Sequence, residues 1–185
     1  HFHHGPFFEL DGERYAKDPE LRRFAGGFDI LFEDTTFQMY DRDRIRQTEF
    51  IYPRLKPGGL LIQVQKLADP DAVAYLARER QKDELFKSRY FSPVLISDKK
   101  EEVLGTMTNM QVDKDTTVGA LQSFFRYSVA TWNSGNFYTI VSSNSRTAIL
   151  NFLALLLKPA IPPAFSHCAL PSVWVDTDAD PIAPD

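Results

Sequence analysis

The sequence predicts an α/β domain built on a mostly parallel sheet, and three observations carry that prediction. "FDILFED" (residues 28–34) is a short apolar run, with Phe28, Ile30, Leu31 and Phe32, that ends in two acids. Such a run suits a strand covered on both faces. "DRDRIRQTEFIYPRL" (41–55) then sets Ile45, Phe50 or Ile51, and Leu55 at near-helical spacing behind Asp41, an N-cap candidate. Pro53 sits late in this stretch and tightens its last turn. Pro57-Gly58-Gly59 turns the chain back, and "LLIQV" (60–64) reads as the next buried strand. Residues 28–64 thus form one strand–helix–strand unit, which implies parallel pairing and a right-handed crossover.

The remaining elements follow in order. "HFHHGPFF" alternates and breaks at Gly5-Pro6, the pattern of a strand end and a turn. "DPELRRFAGG" is a short helical stretch stopped by Gly26-Gly27. After the central unit, "ADPDAVAYLARERQKDELFKS" opens with Asp69 as N-cap and Pro70 at the first helical position, and "SPVLISDKKEEVLGTM" repeats the device with Ser92 and Pro93. "NMQV" is a strand candidate. "TTVGALQSFFRYSVATWNSG" spaces Val118, Leu121, Phe124 or Phe125, Ser128 and Trp132 by three and four. It reads as a helix ending near Gly135, with a strand over "FRYSVATW" as the alternative. "NFYTIVSS" is a strand by composition, and "SRTAILNFLALLL" is a closing helix stopped by Pro159. Pro162, Pro163, Pro171, Pro181 and Pro184 predict a largely irregular tail. The expected organisation is one domain over 1–160 and a Pro-rich tail over 161–185, with no internal repeat.

Composition narrows the function classes. The chain has 185 residues, 43% of them hydrophobic, which is enough for one domain with a real core. Fifteen Phe point to an aromatic-rich core or cavity. A net charge of −4 argues against a nucleic-acid backbone as main partner. The basic stretch "RERQKDELFKSR" interleaves Glu79, Asp83 and Glu84, the pattern of a solvated helix face. The single cysteine, Cys168, excludes an intrachain disulfide framework and fits a reducing compartment. "AILNFLALLL" is broken by Asn151 and falls short of the roughly 20 residues of a membrane span. With no signal-peptide pattern at "HFHHGPFFEL" and no initiator Met, the expectation is a cytoplasmic protein of which this sequence is a part.

Candidate site residues cluster where a parallel sheet binds ligands, beyond the C-terminal ends of its strands. Glu33, Asp34, Thr35 and Thr36 stand there, either as a binding loop or as a capped turn. His1 and His3 would share one strand face, but no Cys or acid joins them at ligand spacing, so no metal site is expected. His167 and Cys168 are adjacent and would face opposite sides of a strand. "TWNSGNFY" reads as a helix stop with core aromatics, or as a pocket wall containing Trp132.

The ordered series "FDILFEDTTFQMYDRDRIRQTEFIYPRLKPGGLLIQVQ" resembles the fourth strand, helix and fifth strand of class I S-adenosylmethionine-dependent methyltransferases. Phe28-Asp29 and Leu55-Lys56-Pro57-Gly58-Gly59 carry the likeness. "RYFSPVLI" is similar to the opening of the family's next helix, and "NFYTIVSSNS" to its antiparallel seventh strand. "FHHGPFFEL" looks like the segment bordering the adenine, with Pro6 in place of the usual acid. The resemblance spans about residues 2–145. It implies a Rossmann-like fold, mostly parallel with an antiparallel last strand. The family's N-terminal strands, Gly-rich loop and ribose-binding acid would all fall before His1.

The implied activity is methyl transfer from S-adenosylmethionine to a small-molecule acceptor. The resemblance places Gly5, Pro6, Phe7, Glu33, Asp34, Thr35 and Phe37 against the cofactor. It gives chemical roles to Asp34, Glu33 and Tyr40, and puts Met39, Tyr40, Arg89, Tyr90 and Trp132 on the substrate side. No nucleic-acid or membrane partner is expected, and a homodimer is possible. The alternatives are a catalytically silent module of the same fold, or an unrelated α/β nucleotide-binding enzyme in which "LKPGG" is coincidence.

Overall fold

The computed structural model describes residues 2–158 and 161–178. His1, Pro159, Pro181 and Pro184, each used in the sequence reading, lie outside the described residues. A 3-10 turn (Phe7–Glu9) and a short helix α1 (Gly12–Lys17) precede strand β1 (Phe28–Asp34), helix α2 (Arg44–Ile51) and strand β2 (Leu55–Lys66). Helices α3 (Ala72–Gln81), α4 (Pro93–Lys99), α5 (Gly105–Met110) and α6 (Lys114–Gln122) follow. Strands β3 (Tyr127–Ser134) and β4 (Phe137–Ser143), helix α7 (Arg146–Leu155) and strand β5 (Ser172–Asp176) complete the order.

The five strands form one sheet in the order β1-β2-β4-β3-β5. The pairing of β1 with β2 is parallel, with Leu31 against Leu61 and Asp34 against Val64, and α2 lies between them in sequence. The strand–helix–strand unit is therefore present. The sheet is mixed rather than mostly parallel: β2–β4, β3–β4 and β3–β5 are all antiparallel. The cause is local. Residues 127–134 form β3, the alternative to the end of a long helix, and the two-residue link Gly135-Asn136 can only join antiparallel strands. The helix stops at Gln122 because Tyr127, Ser128, Val129 and Ala130 are all buried, which suits a central strand and not one face of a helix.

Other boundaries shift for equally local reasons. Asp43, not Asp41, caps α2, and Asp71, not Asp69, caps α3, each accepting a backbone N–H of the first turn. Asp41 and Asp69 bind the two caps instead, accepting from Asp43 N and Asp71 N. Ser92 and Pro93 open α4 as expected. Residues 2–6 form no strand, and "NMQV" ends α5 rather than starting one. The stretch 161–178 is not an irregular tail throughout, because β5 adds to the sheet beside β3 and buries Val175.

Pro57-Gly58-Gly59 does not reverse the chain. It bulges inside β2, where the register with β1 jumps from Phe28–Leu55 to Ile30–Leu60. The reversal lies upstream, in the 3-10 turn Tyr52–Arg54 that contains Pro53.

Each face of the sheet has its own core. On one face Leu61, Leu121, Phe125, Ile140 and Val175 pack with Leu31, Ile51 and Tyr52, burying α2 and α6. On the other, Val129, Val141 and Ile149 pack with Leu60, Ile62 and Phe152 beneath α7. This second cover stops short of β1, whose Ile30 and Phe32 are 53% and 64% exposed. No helix among the described residues is long and apolar enough to cross a membrane.

Gly27 feeds β1 with φ of 88°, and a Cβ there would meet the carbonyl oxygen of Arg54 at 2.9 Å. Gly26 has open space around it. Gly27→Ala is expected to lower unfolding free energy by about 1–3 kcal/mol, the usual range for strained backbone, while Gly26→Ala stays within about 0.5 kcal/mol. Denaturant titration of the two variants checks this; equal midpoints would remove the strained entry to β1.

Candidate functional site

Strand alternation separates the two acids at the end of β1. Glu33 shares a face with Leu31, Leu61 and Gln63; Asp34 shares the other with Phe32, Ile62 and Val64. The turn that follows is fixed by Thr35, which has φ of 58°, the only positive φ at a non-glycine among the described residues. A β-branched residue in that region is strained, and such strain concentrates at functional sites. Thr35 is held there by its N–H donating to Val64 O at 2.9 Å and its hydroxyl donating to Asp34 O at 2.7 Å.

Glu33 points inward and is 7% exposed. One carboxylate oxygen accepts the Phe37 N–H at 2.9 Å and the other accepts from Gln65 Nε2 at 2.5 Å. It thereby anchors the 3-10 turn Phe37–Met39. Around it lies a buried polar layer: Gln38 bridges the backbone of Lys66, while Gln47 binds the Phe37 carbonyl and accepts from Arg44. Both oxygens of Glu33 are engaged inside the protein, where they hold the Phe37 turn, and Glu33 also lines a cavity on this face.

Burial raises the Glu33 pKa from 4.5 to about 7, against the opposing pull of the Phe37 N–H, the Gln65 amide and the Arg44 guanidinium. The neighbouring oxygens Gln63 Oε1 and Gln65 Oε1 are buried without donors.

Asp34 has the opposite environment. Its carboxylate is exposed and accepts no hydrogen bond from the described residues. The sheet register sets Asp34, Val64, Thr139 and Trp132 in one row across β1, β2, β4 and β3. That row floors a cavity of about 730 Å³ whose walls are Phe152, Leu153, Leu156 and Leu157 from the end of α7, with Leu170 and Pro171. Lys158 also lines it. The structure thus joins two residues singled out from sequence, Asp34 and Trp132, in one space. The wall from α7 was not anticipated; its signal was the apolar run continuing past the helix, where Leu156 and Leu157 are 42% and 89% exposed.

A second, smaller cavity of about 240 Å³ lies on the Glu33 face, lined by Phe7, Tyr15, Phe28, Phe37, Phe50 and Arg54 among others. Phe7 stacks on Phe37 with ring centroids 5.6 Å apart, and Tyr40 meets Phe7 edge-on at 5.2 Å. Met39 and Tyr40 are exposed on the turn between the strand end and α2. Gly5 and Pro6 precede Phe7 and line neither cavity; Gly5 lies against His3 and Glu9. Arg89 and Tyr90 line neither cavity either, and Tyr90 packs on Phe86.

The basic stretch after β2 is not uniformly solvated. Glu79 is buried between Lys66 Nζ at 3.1 Å and Lys82 Nζ at 3.3 Å, and Asn136 donates to it. Lys66 is only 1% exposed, so this group ties α3 to the end of β2. Burial pushes the Cys168 thiol up, which makes it a poor nucleophile. His3 lies 3.3 Å from Glu9.

No family model matches the chain. No curated protein does either. Among solved structures, an O-methyltransferase family protein from Burkholderia thailandensis aligns with 78% of the chain at 15% identity and a TM-score of 0.45. The chain spans about a third (35%) of that protein's length. At that level of likeness, the functional reading rests on the chain's own residues.

Glu33 gives a pH test. The folded protein holds this proton more tightly than the unfolded chain, so its stabilising effect is full below about pH 4.5 and is lost as pH rises through about 7. The change amounts to about 3 kcal/mol. Glu33→Gln keeps an acceptor for the Phe37 N–H and removes the titrating group. It is expected to flatten the fall in unfolding free energy that the parent shows between about pH 5 and 8. Denaturant titrations across that range decide it; parallel profiles for the two proteins would mean Glu33 is not the titrating group.

Proposed function

We propose that the protein takes part in S-adenosylmethionine-dependent methyl transfer to a small-molecule acceptor, with the acceptor held in the Asp34–Trp132 cavity. The observation that carries this reading is the free carboxylate of Asp34. It stands on a strained turn at the C-terminal end of the strand that the sequence likeness aligns with the family's fourth.

The residues present fit the group. Asp34 offers acceptor oxygens to an ammonium or to an acceptor hydroxyl. The cavity of about 240 Å³ that Phe7 and Phe37 line is below the roughly 300–1,000 Å³ of complete ligand sites and lies on the opposite face of the sheet from Asp34. When bound, S-adenosylmethionine supplies an electrophilic methyl carbon on a sulfonium. This chain's contribution is alignment: β1 and the Thr35 turn fix Asp34, and Glu33 fixes the Phe37 turn. Alignment of donor and acceptor is the main requirement of such a displacement. Asp34 also receives the acceptor's proton where one must be lost.

Transfer of a radiolabelled methyl group by the full protein tests the reading. Asp34→Asn is expected to lower turnover at least about tenfold, equivalent to about 1.4 kcal/mol of barrier, with the unfolding midpoint unchanged. Activity that survives while stability falls would reduce Asp34 to a turn residue.

A further inference from the structure

We infer that the cavity on the Glu33 face is a second binding site, for a one-ring aromatic carboxylate held by Arg54. It lies on the opposite face of the sheet from the Asp34–Trp132 cavity. The inference therefore goes beyond the methyl-transfer reading and does not rest on it.

A cation without an anion carries it. Arg54 ends the 3-10 turn before β2 and lines the cavity. It is half-buried, and its Nε is buried without an acceptor. No carboxylate among the described residues pairs with it. The start of α1 covers it, since a Cβ on Gly12 would lie 3.3 Å from two of its nitrogens. The acids of that covering segment are taken: Glu9 faces His3, Asp11 accepts the Arg14 N–H, and Glu13 pairs with Lys17. Asp29, near the start of β1, pairs with Lys56. Leaving a guanidinium partly desolvated with no acceptor is costly, and a carboxylate matches its paired N–H groups.

Glu33 lines the same cavity but does not fill this role. Arg54 adjoins Leu55, which pairs with Phe28 at the start of β1, whereas Glu33 stands near the strand's end. Five residues of extended chain separate Phe28 from Glu33, roughly 17 Å. The cation acting on Glu33 is Arg44.

The rest of the lining selects a ring. Phe7 meets Phe37 and Phe50, and Tyr15 meets Phe28. No ring contact among the described residues joins these two groups, and both line the cavity. A flat body there meets aromatic partners from both. About 240 Å³ is small for a many-ringed ligand, yet it exceeds the roughly 150 Å³ of an apolar cavity that takes up benzene.

The full protein, labelled with a nitrogen isotope, is titrated with benzoate while the Arg54 Nε–H signal is followed by NMR. Benzyl alcohol supplies the ring without the charge, and acetate the charge without the ring. Benzoate is expected to shift the Arg54 signal saturably and to bind at least about tenfold tighter than either. It should also raise the melting temperature, as a ligand of the folded chain alone does. Arg54→Met is expected to abolish the preference for benzoate over benzyl alcohol, read by saturation-transfer NMR on the ligands. Where that variant does not fold, Arg54→Lys keeps the charge, loses the paired donors, and should weaken benzoate at least about threefold. The inference is overturned by no saturable binding up to about 10 mM, or by acetate or benzyl alcohol binding as well as benzoate. Affinity unchanged by the Arg54 substitutions would overturn it too. So would a benzoate shift at the Trp132 indole with the Arg54 signal still, which would place the ligand in the other cavity.

Discussion

Everything at the candidate site depends on the parallel register between β1 and β2. It pairs Leu31 with Leu61 and Asp34 with Val64, and so assigns each side chain of β1 to one face or the other. A slip of one residue would exchange the two sets. Glu33 would then move to the open cavity, and Asp34 would be driven under the Phe37 turn. Two features pin the register. The Pro57-Gly58-Gly59 bulge absorbs three extra residues of β2 before the strands come into step. Gly59 permits the approach, since a Cβ there would come within 3.2 Å of three carbonyl oxygens. At the far end the Thr35 N–H closes the pair on Val64 O.

Polar groups fill the space that this register leaves beneath α2. Gln38, Gln47, Thr48, Gln63 and Gln65 are each 2% exposed or less. An apolar layer would be cheaper to bury, because every such amide must find its partners inside the protein. What the polar layer adds is direction. Hydrogen bonds fix where the 35–41 turn sits, and with it Phe37, Met39 and Tyr40. Arg44 extends the same network to the carbonyl of Met110, so the turn is tied to α5 as well. The Lys66–Glu79–Lys82 group does the same for α3. Removing one partner of such a buried group leaves an uncompensated charge, and this makes the anchoring stiff.

The sequence was legible wherever one periodicity ruled. The 28–34 run, the 44–51 helix and the 60–64 strand each carry a single pattern, and the parallel unit followed from their order. Residues 117–134 carry two. Val118, Leu121 and Phe125 have helical spacing, but the same spacing continues through Ser128 and Trp132, inside a strand buried on both faces. Continuous burial erases the alternation by which a strand is recognised. Hence the sequence leaves β3 open between helix and strand, and the mixed sheet does not follow from it. Strand β5 was hidden differently, by a Pro-rich surrounding that suggested no order at all. At the site, Asp34 and Trp132 could each be named from sequence. Their placement in one row could not, since it requires the register of three strand pairs. The roles of Val64 and Thr139 as floor residues follow only from that register.

Two acids one residue apart therefore work under different physical conditions. Glu33 is desolvated, and its chemistry is set by the cost of holding a charge away from water. It governs the stability and geometry of the turn. Asp34 stays exposed at the edge of a largely apolar lining, and its carboxylate accepts no hydrogen bond from the described residues, so it costs the fold little to maintain. Evolution or engineering can alter the second without disturbing the first, because the alternating strand keeps the two side chains on opposite sides of the sheet. The strained Thr35 is the element they share. Its left-handed backbone ends the strand immediately after Asp34, and relaxing it would shift both acids together. The buried acid Glu33 and the exposed acid Asp34 are thus separable by substitution at either position, and coupled only through the turn that follows them.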